Sequence, residues 1–560
     1  MNRLLISILG LGAIFIGPAS QSADAGDGRQ IFRQRCAICH SAEADDNGGA
    51  QGPSLAGVIG RSAASVPNFA YSAALRNSML TWDPATLKRF LAAPSAVVPG
   101  TTMAVAVPGE SDRDSLVAYF QSVGKSQAAA PSAASVPSSS AASANWRLDA
   151  PGKQHHITAS SLPAPFATSS SRNGTSVVSK PAQARLSVPP GFRVEPFATG
   201  LTEPRKMLLA HNGDILVTEM SGGRVTVLHP AADGSRLAGS DVFAKGLKQP
   251  FGMALYPNAE HPQWLYVAET NRVVRFPFQT GDVQPRGPMQ IVVPQLPTGG
   301  HSTRDIAFSA DGAQLFVSVG SGSNVAESMA KKSAEQIKAW EASHGLGASW
   351  DSEDNRAAVL VFDTAAPGAP VNFATGIRNC VSLTVQPANG ALWCTTNERD
   401  ALGDDLVPDY STRVKRGSFF GWPWYYLGPN EDPRLKGDRP DLKGKVSVPD
   451  VLYQSHSASL SMTFYRASGG KSAFPADYVG DAIVGFHGSW NRSLRTGYKL
   501  VRVHMKNGEP LGDYEDFLTG FVVDDSSVWG RPVATVQLAD GSLLMSEDGN
   551  NVIYRISYNK

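Results

Sequence analysis

The sequence predicts a multidomain chain: a small all-α domain first, then an all-β six-bladed β-propeller. Two observations carry that prediction. Near the start stands Cys36-Ala37-Ile38-Cys39-His40, the spacing at which two thiols bond a haem and the adjacent histidine ligates its iron. Over the last two thirds a turn signal followed by a short apolar strand recurs six times, at about the length of a four-stranded propeller blade with its loops.

Residues 1–25 read as a secretory signal peptide: basic Arg3, an apolar run from Leu4 to Ile16, and the cleavage-type end Ala23-Asp24-Ala25. The expected location is therefore the periplasm, where c-type haem is attached, and no later apolar run is long enough for a transmembrane segment. Across 26–123 the haem motif is followed by Gly52-Pro53, Tyr71, Trp82 and Val98-Pro99-Gly100-Thr101-Thr102-Met103. A thioether on a Pro/Gly-shaped loop suits iron, which makes Met103 the candidate second axial ligand beside His40. Leu116, Val117 and Phe120 share one face of a helix between 112 and 123, which should pack on an N-terminal helix containing Ile31 and Phe32. Zinc or a redox disulfide would use the same cysteine spacing, but these surroundings favour haem. The pattern resembles the class I cytochromes c.

Residues 124–144 are almost entirely Ala, Ser and Pro, the composition of a flexible tether. A tether keeps a one-haem carrier at high local concentration, so the haem is most economically the electron acceptor of the second domain. The lead-in over 145–185 is less informative. Its His155 and His156 would point to opposite faces of a strand, so the pair makes a poor metal site.

Composition bounds the remainder. A formal charge of +1 with 18% charged residues gives no broad basic field for nucleic acid. The 54 Gly and 38 Pro favour a turn-rich, mostly β body. Of four cysteines, two belong to the haem motif; Cys380 and Cys394 flank Asn389-Gly390 and are either a disulfide across a hairpin or two buried thiols.

The six copies in the domain 186–560 begin at Asn212-Gly213, Gln263, Asp311-Gly312, Asn389-Gly390, Gly480-Asp481 and Asp540-Gly541. A propeller does not specify function, so the loops between the copies must. His301 precedes a strand in Gly299-Gly300-His301-Ser302-Thr303-Arg304-Asp305, where a proton acceptor near neutral pH could face the channel; taken alone it is more often structural. Arg378-Asn379 offers a planar cation and an amide. The stretch 397–405 is dense in carboxylates and loop carbonyls, the hard oxygens that Ca²⁺ prefers, although such a loop is usually plain solvated surface. The segments His487-Gly488-Ser489-Trp490-Asn491-Arg492 and Trp529-Gly530-Arg531-Pro532 each pair an indole with a guanidinium, suited to a flat carboxylated ring.

Together with Glu203-Pro204-Arg205, Gly421 to Tyr426 and His456 to Ser459, these motifs make the second domain resemble the glucose/sorbosone dehydrogenase family of pyrroloquinoline quinone (PQQ) enzymes, in its sorbosone and pyranose dehydrogenase branch. The resemblance implies a periplasmic quinohaemoprotein dehydrogenase with three cofactors: PQQ, haem c and Ca²⁺. It would oxidise a sugar or a related hydroxyl or aldehyde compound by hydride transfer to PQQ, with electrons passing to the haem and then to a respiratory acceptor. His301 would be the general base. Arg378 and Asn379 would contact the quinone oxygens, which makes His301 and Arg378 the catalytic residues. Backbone carbonyls around Arg399 and Asp400 would hold calcium, with Asp404 or Asp405 as further ligands or loop supports. Arg531 would pair with a PQQ carboxylate, His456, Trp490 and Arg492 would finish the pocket, and Gln249 would lie on the substrate side. The soluble glucose dehydrogenase branch has a lysine on the cofactor where this chain reads His487 to Arg492, so Trp490 and Arg492 both stand as candidates for that contact. A calcium-dependent lactonase-type propeller and a non-catalytic, partner-binding propeller carrying a cytochrome are the alternatives.

Overall fold

The computed structural model describes residues 25–36, 40, 42, 52–66, 71–101, 103, 105–123 and 145–559. The expected signal peptide up to residue 24, the tether and Cys39 lie outside these. The chain divides into two compact units: Met1–Arg35 with Leu55–Ser65 and Tyr71–Ala130, and Cys36–Ser54 with Val66–Ala70 and Pro131–Lys560.

The first unit is helical, with Ala25–Arg35, Ala73–Arg76, Pro84–Ala92, Pro94–Val97 and Glu110–Val123. Its longest helix is the one expected from Leu116, Val117 and Phe120, and all three are buried. It meets the N-terminal helix through Phe32, whose ring sits 5.5 Å from Tyr119 and 5.8 Å, edge-on, from Phe120. Such aromatic contacts add about 1 kcal/mol each beyond the area they bury. The crossing is close enough to require glycine: a Cβ on Gly28 would lie 1.9 Å from the Ser115 carbonyl oxygen. Asp83 caps Pro84–Ala92 by accepting from Thr86 N at 2.9 Å.

The second unit is a six-bladed propeller of four-stranded antiparallel sheets. Its innermost strands are Pro204–Leu209, Met253–Tyr256, Ile306–Phe308, Cys380–Val385, Ser459–Phe464 and Pro532–Gln537. The six copies seen in the sequence each fall on the hairpin from the innermost to the second strand. Those second strands are Ile215–Glu219, Trp264–Glu269, Gln314–Val319, Leu392–Thr396, Ala482–Phe486 and Leu543–Glu547. They are buried almost throughout, because each blade packs on a neighbour through both faces. The ring closes between the two ends of the propeller sequence: Phe192–Ala198 pairs with Val552–Tyr558, Val194 opposite Ile556, and completes the sixth blade. Cys380 and Cys394 lie in the fourth blade and form a disulfide, with Cα atoms 5.7 Å apart.

Strand alternation sorts the connections. Hairpins from innermost to second strand lie at one end of the propeller. Loops that enter an innermost strand, or join second to third, lie at the other. The long connection over 414–450 reaches that second end as well, since Phe420 N and Trp422 N donate to Thr375 O and Gly376 O at 3.0 Å.

The lead-in runs along this framework. Gln154–His156 adds a fifth strand to the fifth blade, His155 opposite Tyr514. There the fully buried Lys499 bonds Asp149 at 2.9 Å and Asp516 at 2.7 Å, and His155 bonds Asp516 at 2.9 Å. His155 faces this network while His156 is exposed, as strand alternation requires.

Candidate cofactor sites

In the haem motif, His40 N donates to Cys36 O at 2.8 Å, and the His40 ring bonds through Nδ1 to Pro53 O at 2.8 Å. A carbonyl only accepts, so Nδ1 carries the proton and Nε2 is the nitrogen with ligand character, oriented as metal-binding histidines are. Gly52 lies against this ring: a Cβ there would come within 2.3 Å of His40 Cε1. In the Met103 loop, Gly100 takes a left-handed φ of 86°, Thr101 N donates to Val98 O at 3.0 Å, and Met103 N to Thr101 Oγ1 at 3.3 Å. Cys36 is buried.

The loop end of the propeller brings His301, Arg378, Asn379, Asp400, His456 and Arg492 together from positions far apart in sequence. His301 is set by Ser321, whose carbonyl accepts from His301 N at 3.1 Å and from Nδ1 at 2.9 Å. Nδ1 is thus protonated and Nε2 is the basic nitrogen. Burial and then the Arg378 charge push the ring's pKa down to about 3, so the imidazole is neutral across the ordinary pH range. Gly320 separates this ring from Asn379, since a Cβ on Gly320 would lie 2.3 Å from Asn379 Oδ1 and 2.7 Å from His301 Cβ.

Arg378 is buried in a nest of oxygens: Glu398 O at 2.7 Å, Asn324 Oδ1 at 3.0 Å, Asp400 Oδ2 at 3.2 Å, and Asn397 O and Asn324 O at 3.3 Å. Burial alone would raise the Asp400 carboxyl, but Arg378 and His456 more than offset it and hold Asp400 below the usual carboxylate range. Asp400 also accepts from Asn491 Nδ2, which donates to His456 Nδ1 at 3.0 Å; His456 Nε2 in turn donates to Gly403 O at 3.1 Å. Beneath them Asp409 accepts from Glu398 N at 2.8 Å and Ala458 N at 2.7 Å, and burial pushes its carboxyl up to about 7.

A second cluster adjoins the first, since His487 N and Gly488 N donate to Ala458 O and Ser457 O at 2.9 and 3.0 Å. Here Asp548 gathers His487 Nε2 at 2.9 Å, Arg531 Nε at 2.9 Å, and Arg205. Burial works against this carboxylate, but His487, Arg205 and Arg531 together hold it ionised. Arg531 is the predicted residue that sits in this cluster, apart from Arg378. Trp490 is half-buried, and Gln249 Oε1 accepts from Thr270 Oγ1 at 3.1 Å.

The acidic loop is bonded extensively within the chain. Asp404 bonds Ser493 N at 3.1 Å and Ser493 Oγ, and Asp405 pairs with Arg492, which also reaches Asp404 O. The fully buried Arg399 is spent on Glu398 at 3.0 Å, Asp432 at 3.2 Å, and the carbonyls of Pro423 and Tyr425 at 2.6 and 2.7 Å. The Asp400 carbonyl accepts from Arg434 at 2.8 Å and Asn324 Nδ2 at 3.1 Å. Glu398, Asp400 and Asp405 thus serve as counter-charges for buried guanidiniums, and Asp404 holds Ser493. Among the described residues, no group of three His, Cys, Asp or Glu side chains is placed to hold a metal ion.

Sequence reasoning missed Asn324, Asp409, Asn491 and Asp548 as pocket residues. Asn491 stands inside a motif already singled out and Asp409 just beyond the stretch 397–405, whereas Asn324, in Gly320-Ser321-Gly322-Ser323-Asn324, carries no signal beyond a turn composition.

A model of the TrAA12-like family matches residues 186–414 and 438–559. Cytochrome c2 of Rhodomicrobium vannielii is 39% identical over 121 residues, 21% of this chain and 95% of that protein. The holo pyranose dehydrogenase PQQ domain from Coprinopsis cinerea superposes with a TM-score of 0.54 at 21% identity, over 68% of this chain and 100% of that one. A calcium structure of a Trichoderma reesei enzyme of carbohydrate-active family AA12 does so with 0.54 at 19%, over 69% and 99%. At such identity the two structures speak for the fold.

Proposed function

The chain belongs to the TrAA12-like family through its propeller and to the cytochromes c through its N-terminal region, and on that premise we propose that it is a periplasmic quinohaemoprotein dehydrogenase. Its substrate is a sugar or related hydroxyl or aldehyde compound, and its electrons leave through haem c to a respiratory acceptor. The observation that carries the reading is the convergence of His301, Arg378, Asn379, His456 and Arg492 at one end of the propeller.

The residues fit the cofactor. Asn379 Oδ1, Arg492 Nε and Arg205 Nε are buried polar atoms without a hydrogen-bond partner, so the pocket holds polar capacity that the chain does not itself use. Guanidiniums, an amide and a half-buried indole at Trp490 suit a flat, three-carboxylate ring. His40 fits haem iron by its orientation. When bound, PQQ supplies a two-electron acceptor and haem c a one-electron carrier.

The chain's own part follows from its atoms. His301 keeps its proton on Nδ1 and offers Nε2 to the substrate hydroxyl, and its lowered pKa keeps it in the accepting form. Arg378 holds a fixed positive charge beside it, ready to stabilise negative charge developing on a nearby oxygen. Asp400, Asn491 and His456 orient one another behind these groups. For calcium, which the resemblance also implies, Asp404 and Asp405 act here as loop supports on Ser493 and Arg492, while the Asp400 carbonyl already accepts from Arg434 and Asn324.

The test is the haem absorbance of the exported, haem-loaded protein with PQQ and Ca²⁺, challenged with aldoses, ketoses, polyols, aldehydes and alcohols. Haem reduction that needs PQQ and one substrate class, and is lost in His301→Ala, is the expected result. Absence of PQQ binding would sink the proposal.

A further inference from the structure

We infer that the lead-in over 166–178, which precedes the family-matched region, is a working part of the cofactor pocket: a strap that holds two pocket loops in register, with Thr168, Ser170 and Asn173 as positioning residues. Its ligand is taken from the function proposed above; the strap's action on the loops stands on its own contacts.

The strap crosses the two loops in order. Phe166 N donates to Leu402 O at 2.8 Å, Thr168 Oγ1 accepts from Asp404 N at 2.8 Å, and Ser170 Oγ accepts from Gly403 N at 3.3 Å. Asn173 then donates through N to Trp490 O at 2.7 Å and through Nδ2 to Ser493 O at 3.2 Å. Each of these bonds lies within a residue or two of a pocket contact. Gly403 N is held by the strap while Gly403 O receives the His456 proton at 3.1 Å. Asp404 N is held by the strap while Asp404 O receives Arg492.

Two further features show that this fit is built. Gly403 takes φ 110°, and a Cβ there would lie 2.9 Å from both Thr168 O and Thr168 Oγ1, so bare backbone is needed where the strap passes. Arg495, fully buried, reaches out of the second loop to Thr175 Oγ1 at 2.6 Å and to Asn173 Oδ1 and Gly174 O at 3.0 Å. A charge is buried here with strap atoms as its acceptors, whereas loops that merely pass each other seldom commit one. Loops fixed before the ligand arrives lower the ordering cost of binding it, so the strap should appear in affinity.

The experiment uses the full haem-loaded chain and the Thr168→Val/Ser170→Ala double variant, with Asn173→Ala as a second, milder variant should the double one fail to fold. Amide hydrogen exchange is read without PQQ, and PQQ affinity by fluorescence titration. Expected are about tenfold faster exchange confined to 402–405 and 490–495 and about tenfold weaker PQQ binding, with an unchanged haem spectrum. Equal exchange in variant and parent overturns the strap, as does equal PQQ affinity with faster exchange, which would reduce it to a packing role. If the parent itself fails to bind PQQ, the proposed function falls and with it the strap's part in a cofactor pocket, and faster loop exchange in the variant then upholds only its hold on the two loops.

Discussion

The two ends of the propeller hang on the same six innermost strands and are built to opposite rules. At the hairpin end, turns such as Asn212-Gly213, Asp311-Gly312 and Asp540-Gly541 satisfy themselves locally: Asp311 Oδ1 accepts from Ala313 N at 3.1 Å, and Asp540 Oδ1 from Ser542 N at 3.0 Å. At the loop end the bonds are long-range, as from Arg378 to Asn324 or Asn491 to His456, and they bury charge. A turn such as Asp311-Gly312, whose carboxylate bonds Ser309 and Ala313, is replaceable at small cost, whereas Asp540 also pairs with the buried Arg555. Groups of the second end hold one another, and loss of one strands its partners.

Four measurements would break or sharpen that contrast. The largest effect should come from His301→Ala, with substrate-driven haem reduction slowed about 10²- to 10⁴-fold while PQQ affinity and thermal unfolding stay close to the parent; an equal loss of PQQ binding would show that the ring is a cofactor support. Arg399→Met comes next, leaving Glu398 buried without its cation and Asp432 with Arg434 alone. About 3–5 kcal/mol of stability should go, read by denaturant unfolding, and a near-neutral result would mean that the loop end is not mutually dependent.

The third concerns pH. Unfolded, His301 takes a proton below about 6.5; folded, it does so only near 3. The unfolded state therefore binds more protons in that window, and stability falls as pH falls from 6.5 toward 3. The parent should lose more stability over this range than His301→Gln, and parallel curves would show that the ring is not held neutral. The smallest effect is expected at the hairpin end. Asp311→Ala should cost about 1 kcal/mol with no change in PQQ affinity, and a pocket effect there would erase the distinction between the ends.

The acidic stretch 397–405 shows how far sequence reading reaches. Residue types alone match a calcium loop, since carboxylates and carbonyls are what calcium wants. They match equally well a loop that must neutralise Arg399 within it, Arg378 22 positions before Asp400, and Arg492 from the next blade. Arg492 reaches Asp405 across 87 positions, so no local pattern announces it. The lead-in is a similar case: Thr168 and Ser170 look like ordinary linker residues until Gly403 is beside them.

By itself the sequence determined what repeats or lies close along the chain. Turn chemistry and strand length recur at each blade, so six copies counted six blades; thiols and histidine stand adjacent at the haem motif; Leu116, Val117 and Phe120 mark a buried helix face. Only the tertiary structure decided which polar atoms are already spent. Whether a carboxylate is a metal ligand or a counter-ion, whether Cys380 meets Cys394, and whether a lead-in is slack or strap depend on atoms brought together by folding. A residue's chemistry is local, but its partner is chosen by the packing of distant segments.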